Sequence, residues 1–467
     1  MARKQQPKPS SSPRKRGSSD FPSTQAKTLD SRFRGNDEQK QLGGKVAELH
    51  EHAFSDLYEM SSGISSTPAQ AGHGAPFLSF SAVFNNYFLP DVLPDLMDTS
   101  LAEQETYSVK EGDIFLTRTS ETVDELGMSS VAIKDYPCAT FSGFLKRLRP
   151  TASGQTDPKF MAFYLRSPLF RKTMTNNAVM VLRASLNEQI FSYLKLLLPD
   201  FDTQTRIGEF LYLLNAKIDL NNRINAELEA LAKTIYDYWF VQFDFPDAKG
   251  RPYKSSGGKM VWNDALKREI PAGWEVKSLS ELGSFRNGIN YDPSIGGEAV
   301  ARIVNVRNVS ASAVFLKHDD LDELALDQAD IDKYLVTADS ILIARSGIPG
   351  ATRMMSPCPP NTIYCGFIIC LTVADTESKL LLFFRLKQLE QSLLSQSSGS
   401  ILKNVSQDTL KEVRLAMPHE GLIAARFNAA IAPLFSKISA NDLENRKLTQ
   451  LRDWLLPLLM NGQVRVA

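Results

Sequence analysis

The chain has 467 residues, 53 Lys/Arg against 53 Asp/Glu, 43% hydrophobic and 23% charged positions. That length predicts two to four domains, and that composition is that of an ordinary globular protein. No stretch approaches the roughly 18 uncharged apolar residues of a membrane-spanning helix. The basic start MARKQQPKPSSSPRKRG is not followed by the apolar segment of a secretory signal, and a cytoplasmic location is expected.

Residues 1–45 are rich in Ser, Pro, Lys and Arg without periodicity, and they read as a disordered basic tail. A phosphate-touching arm is one reading of it; a tail without a role, or a start placed too far upstream, is preferred. Residues 1–49 hold 11 Lys/Arg against 5 Asp/Glu, so the rest of the neutral chain carries a net −6. The part expected to fold therefore lacks an overall basic footprint. Cys138, Cys358, Cys365 and Cys370 follow no paired CxxC spacing, and His50, His52, His73, His318 and His419 offer only the weak pair His50/His52. No metal site and no disulfide scaffold are expected.

The remainder repeats internally. Gly63-Ile64 answers Gly288-Ile289, YSVKEGDIFLTR (107–118) answers YLVTADSILIAR (334–345), and Gly143-Phe144 answers Gly366-Phe367. The order is shared while the offsets drift slightly, as loop insertions would make them. Within each half the runs DIFLTR, SILIAR, GFIICLTV and RIVNV predict short strands. A helical stretch (KFMAFYLRSPLFRKTMTN, SKLLLFFRLKQLEQSLLSQ) and a strand ending in Pro (YLKLLLP, EVRLAMP) come next. Each half thus predicts an α+β globule, residues 46–199 and 271–419, followed by a long helix, 200–243 and 420–467. The linker 244–270 is polar and broken by Pro and Gly.

The long helices are legible by period. Ile207, Leu211, Leu214, Ile218, Asn221, Asn225, Leu228, Ala232, Ile235 and Trp239 advance in steps of 4 and 3. Phe427, Ile431, Leu434, Ile438, Asn441, Asn445, Leu448, Arg452, Leu455 and Leu459 take the same steps. Strict 3.5-residue periodicity predicts a left-handed coiled coil. Asparagines would match in either direction. With the linker carrying a second globule to the far end, the expected arrangement is antiparallel, with Asn225 facing Asn441 and Asn221 facing Asn445 as register markers. The fold class is then α+β: two similar globules separated by an antiparallel two-helix coiled coil with an internal pseudo-twofold.

No catalytic constellation stands out. SSGGKMV (255–261) lacks the first glycine and the hydroxyl residue of a phosphate loop. Pro246-Asp247 with Glu275-Val276-Lys277 imitates a nuclease pattern, but such short patterns arise by chance. The chain is expected to be non-catalytic by itself.

The helix LLPDFDTQTRIGEFLYLLNAKIDLNNRINAELEALAKTIYDYWFVQFDF, the run GRPYKSSGGKMVWNDALKREIPAGWEVKSLSELG and the closing SANDLENRKLTQLRDWLLPLLMNGQVRV resemble the specificity subunit of type I restriction–modification enzymes, a phage-defence system. The resemblance covers about residues 53–467. It implies that 46–199 and 271–419 are target recognition domains, each reading half of a bipartite, asymmetric duplex site. It implies that the helices set the spacer and dock two methyltransferase subunits, with restriction/translocase subunits outside. S-adenosylmethionine, ATP and magnesium are then expected on those partners, none in this chain, and double-stranded DNA is the ligand. Candidate DNA-contacting residues are Arg118, Thr119 and Ser120, their repeat partners Arg345, Ser346 and Gly347, and Arg302, Asn305 and Arg307. Arg118 and Arg345 read equally well as strand-end residues in structural salt bridges. One departure is that KVAELHEHAFSDLY (45–58) lacks the Pro, Gly and Trp of Pro271-Ala272-Gly273-Trp274. The competing expectation is a non-DNA coiled-coil scaffold that joins two binding modules.

Overall fold

The computed structural model describes residues 48–65, 67–120, 125–177, 184–185, 188–291, 296–396, 404–419 and 421–466. The basic tail expected at 1–45 lies outside them. The described chain is mixed α and β, and its halves share one topology. In the first half an antiparallel sheet runs in the order Tyr58–Ser62, Leu145–Pro150, Ile114–Thr117, Ser129–Val131. In the second half Gly283–Asn287, Ile368–Val373, Ser340–Ala344 and Thr352–Arg353 take the same places.

A three-stranded sheet also recurs. Ala71–Leu78 lies between antiparallel Asp95–Met97 and parallel Thr140–Phe141. Ala299–Val304 lies likewise between Asp322–Leu326 and Thr362–Tyr364. Inward strands such as Ile114–Thr117 and Ser340–Ala344 are buried at every residue, which is why they read as continuous apolar runs.

The missing Pro-Gly-Trp in the first half does not cost it the matching strand. His50–Ala53 pairs antiparallel with Lys195–Leu198 as Glu275–Ser278 pairs with Arg414–Met417. Two expected elements are corrected. The helix read over KFMAFYLRSPLFRKTMTN is two, Pro158–Tyr164 and Pro168–Asn177, because the residue before a proline disfavours the helical region. The strand read through RIVNV ends at Val304; Asn305 opens the helix Val306–Ser310, its N–H donating to Asn308 Oδ1 at 2.8 Å.

The first long helix spans Phe201–Tyr236, capped by Asp200 Oδ1 accepting from the Thr203 N–H, and runs on into a π-helical turn, Asp237–Val241. The second spans Gly421–Met460 and contains Pro433 and Pro457. A proline inside a helix costs about 3 kcal/mol, which the burial of Phe427, Ile431, Phe435 and Ile438 along the same helix outweighs. No member of either heptad seam is exposed.

Each end of the helix pair carries a core. Ile207 and Leu211, near the start of the first helix, join Leu456, Leu459 and Met460, at the end of the second, with Phe54, Phe160, Phe163 and Phe170 of the first globule. Tyr236 and Phe240 join Phe427, Ile431 and Phe435 with Phe383 and Phe384 of the second globule. Here Phe240 lies edge-on to Phe427 at 5.0 Å, and Trp274 packs on Phe240, Phe243 and Phe245. The helix–Trp-Phe–linker–Gly-Trp run is therefore one aromatic cluster. The linker itself is ordered: Asp244 takes two hydrogen bonds from Ser255, Phe245 stacks on Tyr253, and Met260–Asn263 pairs with Arg268–Pro271.

Candidate nucleic-acid interface

The middle of the helix pair is polar. Asn221 Nδ2 donates to Asn445 Oδ1 at 2.9 Å and Asn441 Nδ2 donates to Asn225 Oδ1 at 2.8 Å, so the helices run antiparallel. Asn225 Nδ2 also reaches Asp442 Oδ1, and its pseudo-twofold equivalent, Asn445 Nδ2, reaches Asn222 Oδ1. Around this ladder the symmetry breaks. Lys217 pairs with Glu444 at 3.2 Å, while Ile224 stands where Glu444 would repeat. Burial holds the Asp442 carboxyl above its ordinary range. Hydrogen bonds from Asn221 and Lys217 hold Glu444 below its own.

In each globule two segments cross at a point with no room for a side chain. Ile64 bridges Ser142 and Ile289 bridges Cys365, both in parallel sense. A Cβ on Gly63 would stand 2.2 Å from the Ser142 carbonyl oxygen, and one on Gly288 2.2 Å from that of Cys365. Glycine is the residue that lets two backbones approach this closely. The hydrogen bonds match one for one. Gly143 N–H donates to Ile64 O and Gly366 N–H to Ile289 O, each at 2.7 Å. Arg118 N–H donates to Phe144 O at 2.8 Å and Arg345 N–H to Phe367 O at 2.9 Å.

The candidate residues divide at this point. Among the described residues, Arg118 and Arg345 pair with no carboxylate: Arg118 Nη1 lies 3.5 Å from Gly143 O, and Arg345 Nη1 lies 3.2 Å from Gly366 O. Each guanidinium thus sits beside the crossing with most of its five donors not committed to that bond. Thr119 and Ser120 form a two-residue strand with Ala184–Ser185; their side chains lie outside the described residues. Ser346 and Gly347 continue from the strand end, Gly347 with φ near +79°.

Arg302, Asn305 and Arg307 do not join that cluster. Arg302 faces Glu323 directly across the strand pair at 3.6 Å, Arg307 Nη2 donates to Asp322 Oδ1 at 2.6 Å, and Asn305 Nδ2 donates to Asp322 Oδ2 at 2.9 Å. These three are engaged by acidic partners on the adjacent strand. Other basic groups work inside the globules. Arg166 donates to four carbonyl oxygens, of Ser129, Val83, Phe84 and Asn86, and its burial pulls it down to about 10. Arg149 grips Asp113 through two bonds, and Arg353 is buried against Glu390 at 3.1 Å.

Of the decoys, Asp247 accepts from the N–H groups of Lys249 and Arg251 in a turn, and Glu275 pairs within its strand edge with Lys277 and His419. Reasoning from the sequence missed Phe144 and Phe367 as surface features. The repeated Gly-Phe was the available signal, but an aromatic in a strand reads as core. Both are exposed, at 66% and 64%. Among the described residues, no helix is long and apolar enough to cross a membrane.

Residues 64–230, which span most of the first globule and part of the first long helix, match the family model of the type I restriction modification DNA specificity domain. The type I restriction enzyme HindI specificity subunit of Haemophilus influenzae is 26% identical over 447 residues, covering 83% of this chain and 94% of that protein. The MjaIX specificity subunit of Methanocaldococcus jannaschii is 26% identical over 284 residues, 57% of this chain and 60% of that one. The solved S subunit of a type I restriction–modification system from M. genitalium superposes with a TM-score of 0.53 at 14% identity, over 89% of this chain and 97% of its own, a likeness of fold. The class these likenesses point to is that of DNA-specificity proteins. Within it, the chain is similar to the specificity subunits of type I restriction–modification enzymes.

Proposed function

We propose that the chain reads a bipartite, asymmetric DNA duplex, one half-site by each globule, with the helix pair fixing the distance between them. The observation that carries this reading is the asparagine-centred antiparallel pair with an apolar core built on each end. In this reading the chain performs no chemistry. Two methyltransferase subunits dock on the helices and restriction/translocase subunits join them. S-adenosylmethionine, ATP and magnesium come with those partners.

Residues 53–199 hold 12 Lys/Arg against 15 Asp/Glu and residues 271–419 hold 14 against 17. With several of these cations consumed internally, the partners supply much of the phosphate clamp. Phosphate contacts position such a reader, and side chains near Arg118 and Arg345 specify bases.

The test is methylation of a randomised duplex library by the chain assembled with its methyltransferase partner. The expected product set is two short sequences at one fixed separation; methylation without sequence preference would refute the reading and favour a scaffold that joins two other binding modules. Removing seven residues from each helix withdraws about 10 Å of helix, or roughly 3 base pairs. The preferred spacer should shorten accordingly, and an unchanged spacer would refute the ruler.

A further inference from the structure

We propose that Phe144 and Phe367 are the apolar wedges of the two globules, each pressing onto a base step of its own half-site; this rests on the DNA-reading function above. A single exposed phenylalanine needs no explanation. Here the same side chain projects from the same point of two globules whose sequences otherwise match weakly, with nearly equal exposure, 66% and 64%. Phe115, Phe141 and Phe383, in the cores, are by contrast fully buried.

The mounting is rigid. On one side the Gly143 and Gly366 N–H groups are tied to Ile64 O and Ile289 O. On the other, the Phe144 and Phe367 carbonyls accept from Arg118 and Arg345. The turn that carries each ring is closed by Leu145 N–H to Ser142 O and Ile368 N–H to Cys365 O, both at 2.9 Å. A side chain held at a tip by its own backbone loses little freedom on contact, which is what a wedge needs.

The neighbours favour DNA over a protein partner. The tip carries a guanidinium fastened to the preceding glycine carbonyl. It also carries a short polar side chain from the crossing segment, Ser65 in one half and Asn290 in the other, both exposed. A protein-docking hot spot sits in a well-packed pocket whose surrounding contacts exclude water, whereas these rings stand out among exposed polar groups. An aromatic set beside a guanidinium and either a hydroxyl or an amide has instead the donors that grip phosphates and base edges beside a ring that can stack on a base. Inserted apolar side chains unstack and kink a duplex at one step, so the sequence cost of that deformation would add to whatever Arg118 and Arg345 read directly.

The experiment uses the chain assembled with its methyltransferase partner and a duplex recovered from the randomised library, with 2-aminopurine placed at successive steps. Binding should raise the fluorescence at one step in each half-site. F144A should abolish the rise in one half-site and weaken binding about 10-fold, F367A should do so in the other, and F144W and F367W should restore both signals. The proposal is overturned if no step responds, or if the alanine variants respond as the parent does while the sequence preference persists. It is overturned equally if they lose the methyltransferase on copurification, which would make the two rings protein contacts. Loss of sequence preference in the unaltered complex would instead remove the DNA-reading function itself, an outcome separable from the others.

Discussion

The two globules share a backbone and little else. Sheet order, the parallel crossing and the strand that returns before each long helix are common to both. The ion pairs that brace them are not. The first globule ties Arg149, 30% exposed at its side chain, to fully buried Asp113. The second buries both Arg353 and Glu390, with Lys387 on the same carboxylate and Arg353 Nε on Ser312 O. The second globule also reaches further along the helices, through Phe315 on Phe435 and Arg446 on Asp319. What has been kept is the framework that aims one tip per half, and what differs is how each framework is braced.

Substitutions can break this comparison. Glu390→Ala should have the largest effect, since it leaves a buried guanidinium unpaired: a loss of about 3–5 kcal/mol in urea denaturation. Asp113→Ala, whose partner reaches solvent, should cost roughly 1–3 kcal/mol. Equal losses would mean that the two braces do the same work. Gly63→Ala and Gly288→Ala should then cost about the same as each other, on the order of 1–3 kcal/mol, because each drives a Cβ into a carbonyl oxygen. A tolerated substitution in only one half would show that the crossings are not equivalent.

At the centre of the helices, the double change Asn225→Leu and Asn441→Leu removes a bonded pair that includes Asn441 Oδ1, buried without a partner. It should raise the melting temperature by an amount corresponding to about 1 kcal/mol. It should also blur the single methylation spacing, since a buried asparagine fixes register at a cost in stability.

The smallest effect is one of pH. Burial raises the Asp442 carboxyl, against the opposing pull of Lys317, Arg446 and the Asn225 amide. A raised carboxyl favours the fold while protonated, below the ordinary carboxylate range, and that contribution is lost as pH rises through the folded value. Asp442→Asn should therefore gain stability relative to the parent near neutral pH and little near about pH 4. A gain independent of pH would show that Asp442 is not the titrating group.

The legible parts of the sequence were those governed by a period or a repetition. The steps of 4 and 3 marked both seams because a helix of that length can shelter only such a stripe. Gly63-Ile64 and Gly366-Phe367 announced themselves as repeats because a backbone crossing tolerates no side chain. The acidic partners of Arg302, Asn305 and Arg307 were hidden for a tertiary reason. These partners, Asp322 and Glu323, are brought opposite only by strand register, which no local pattern encodes. The linker's polarity likewise hid its order, since Asp244, Ser255, Phe245 and Tyr253 meet only once the chain has turned back at Phe243, whose φ is 66°.

The crossing has one more consequence. Because each tip is located by main-chain hydrogen bonds and by the absence of a Cβ, its position does not depend on the side chains around it. Residues such as Ser65 and Asn290 can therefore change identity without re-aiming the ring or the arginine beside it. Aim and composition are separable in this molecule: the side chains around each tip can be exchanged one by one while the backbone that holds the tip stays as it is.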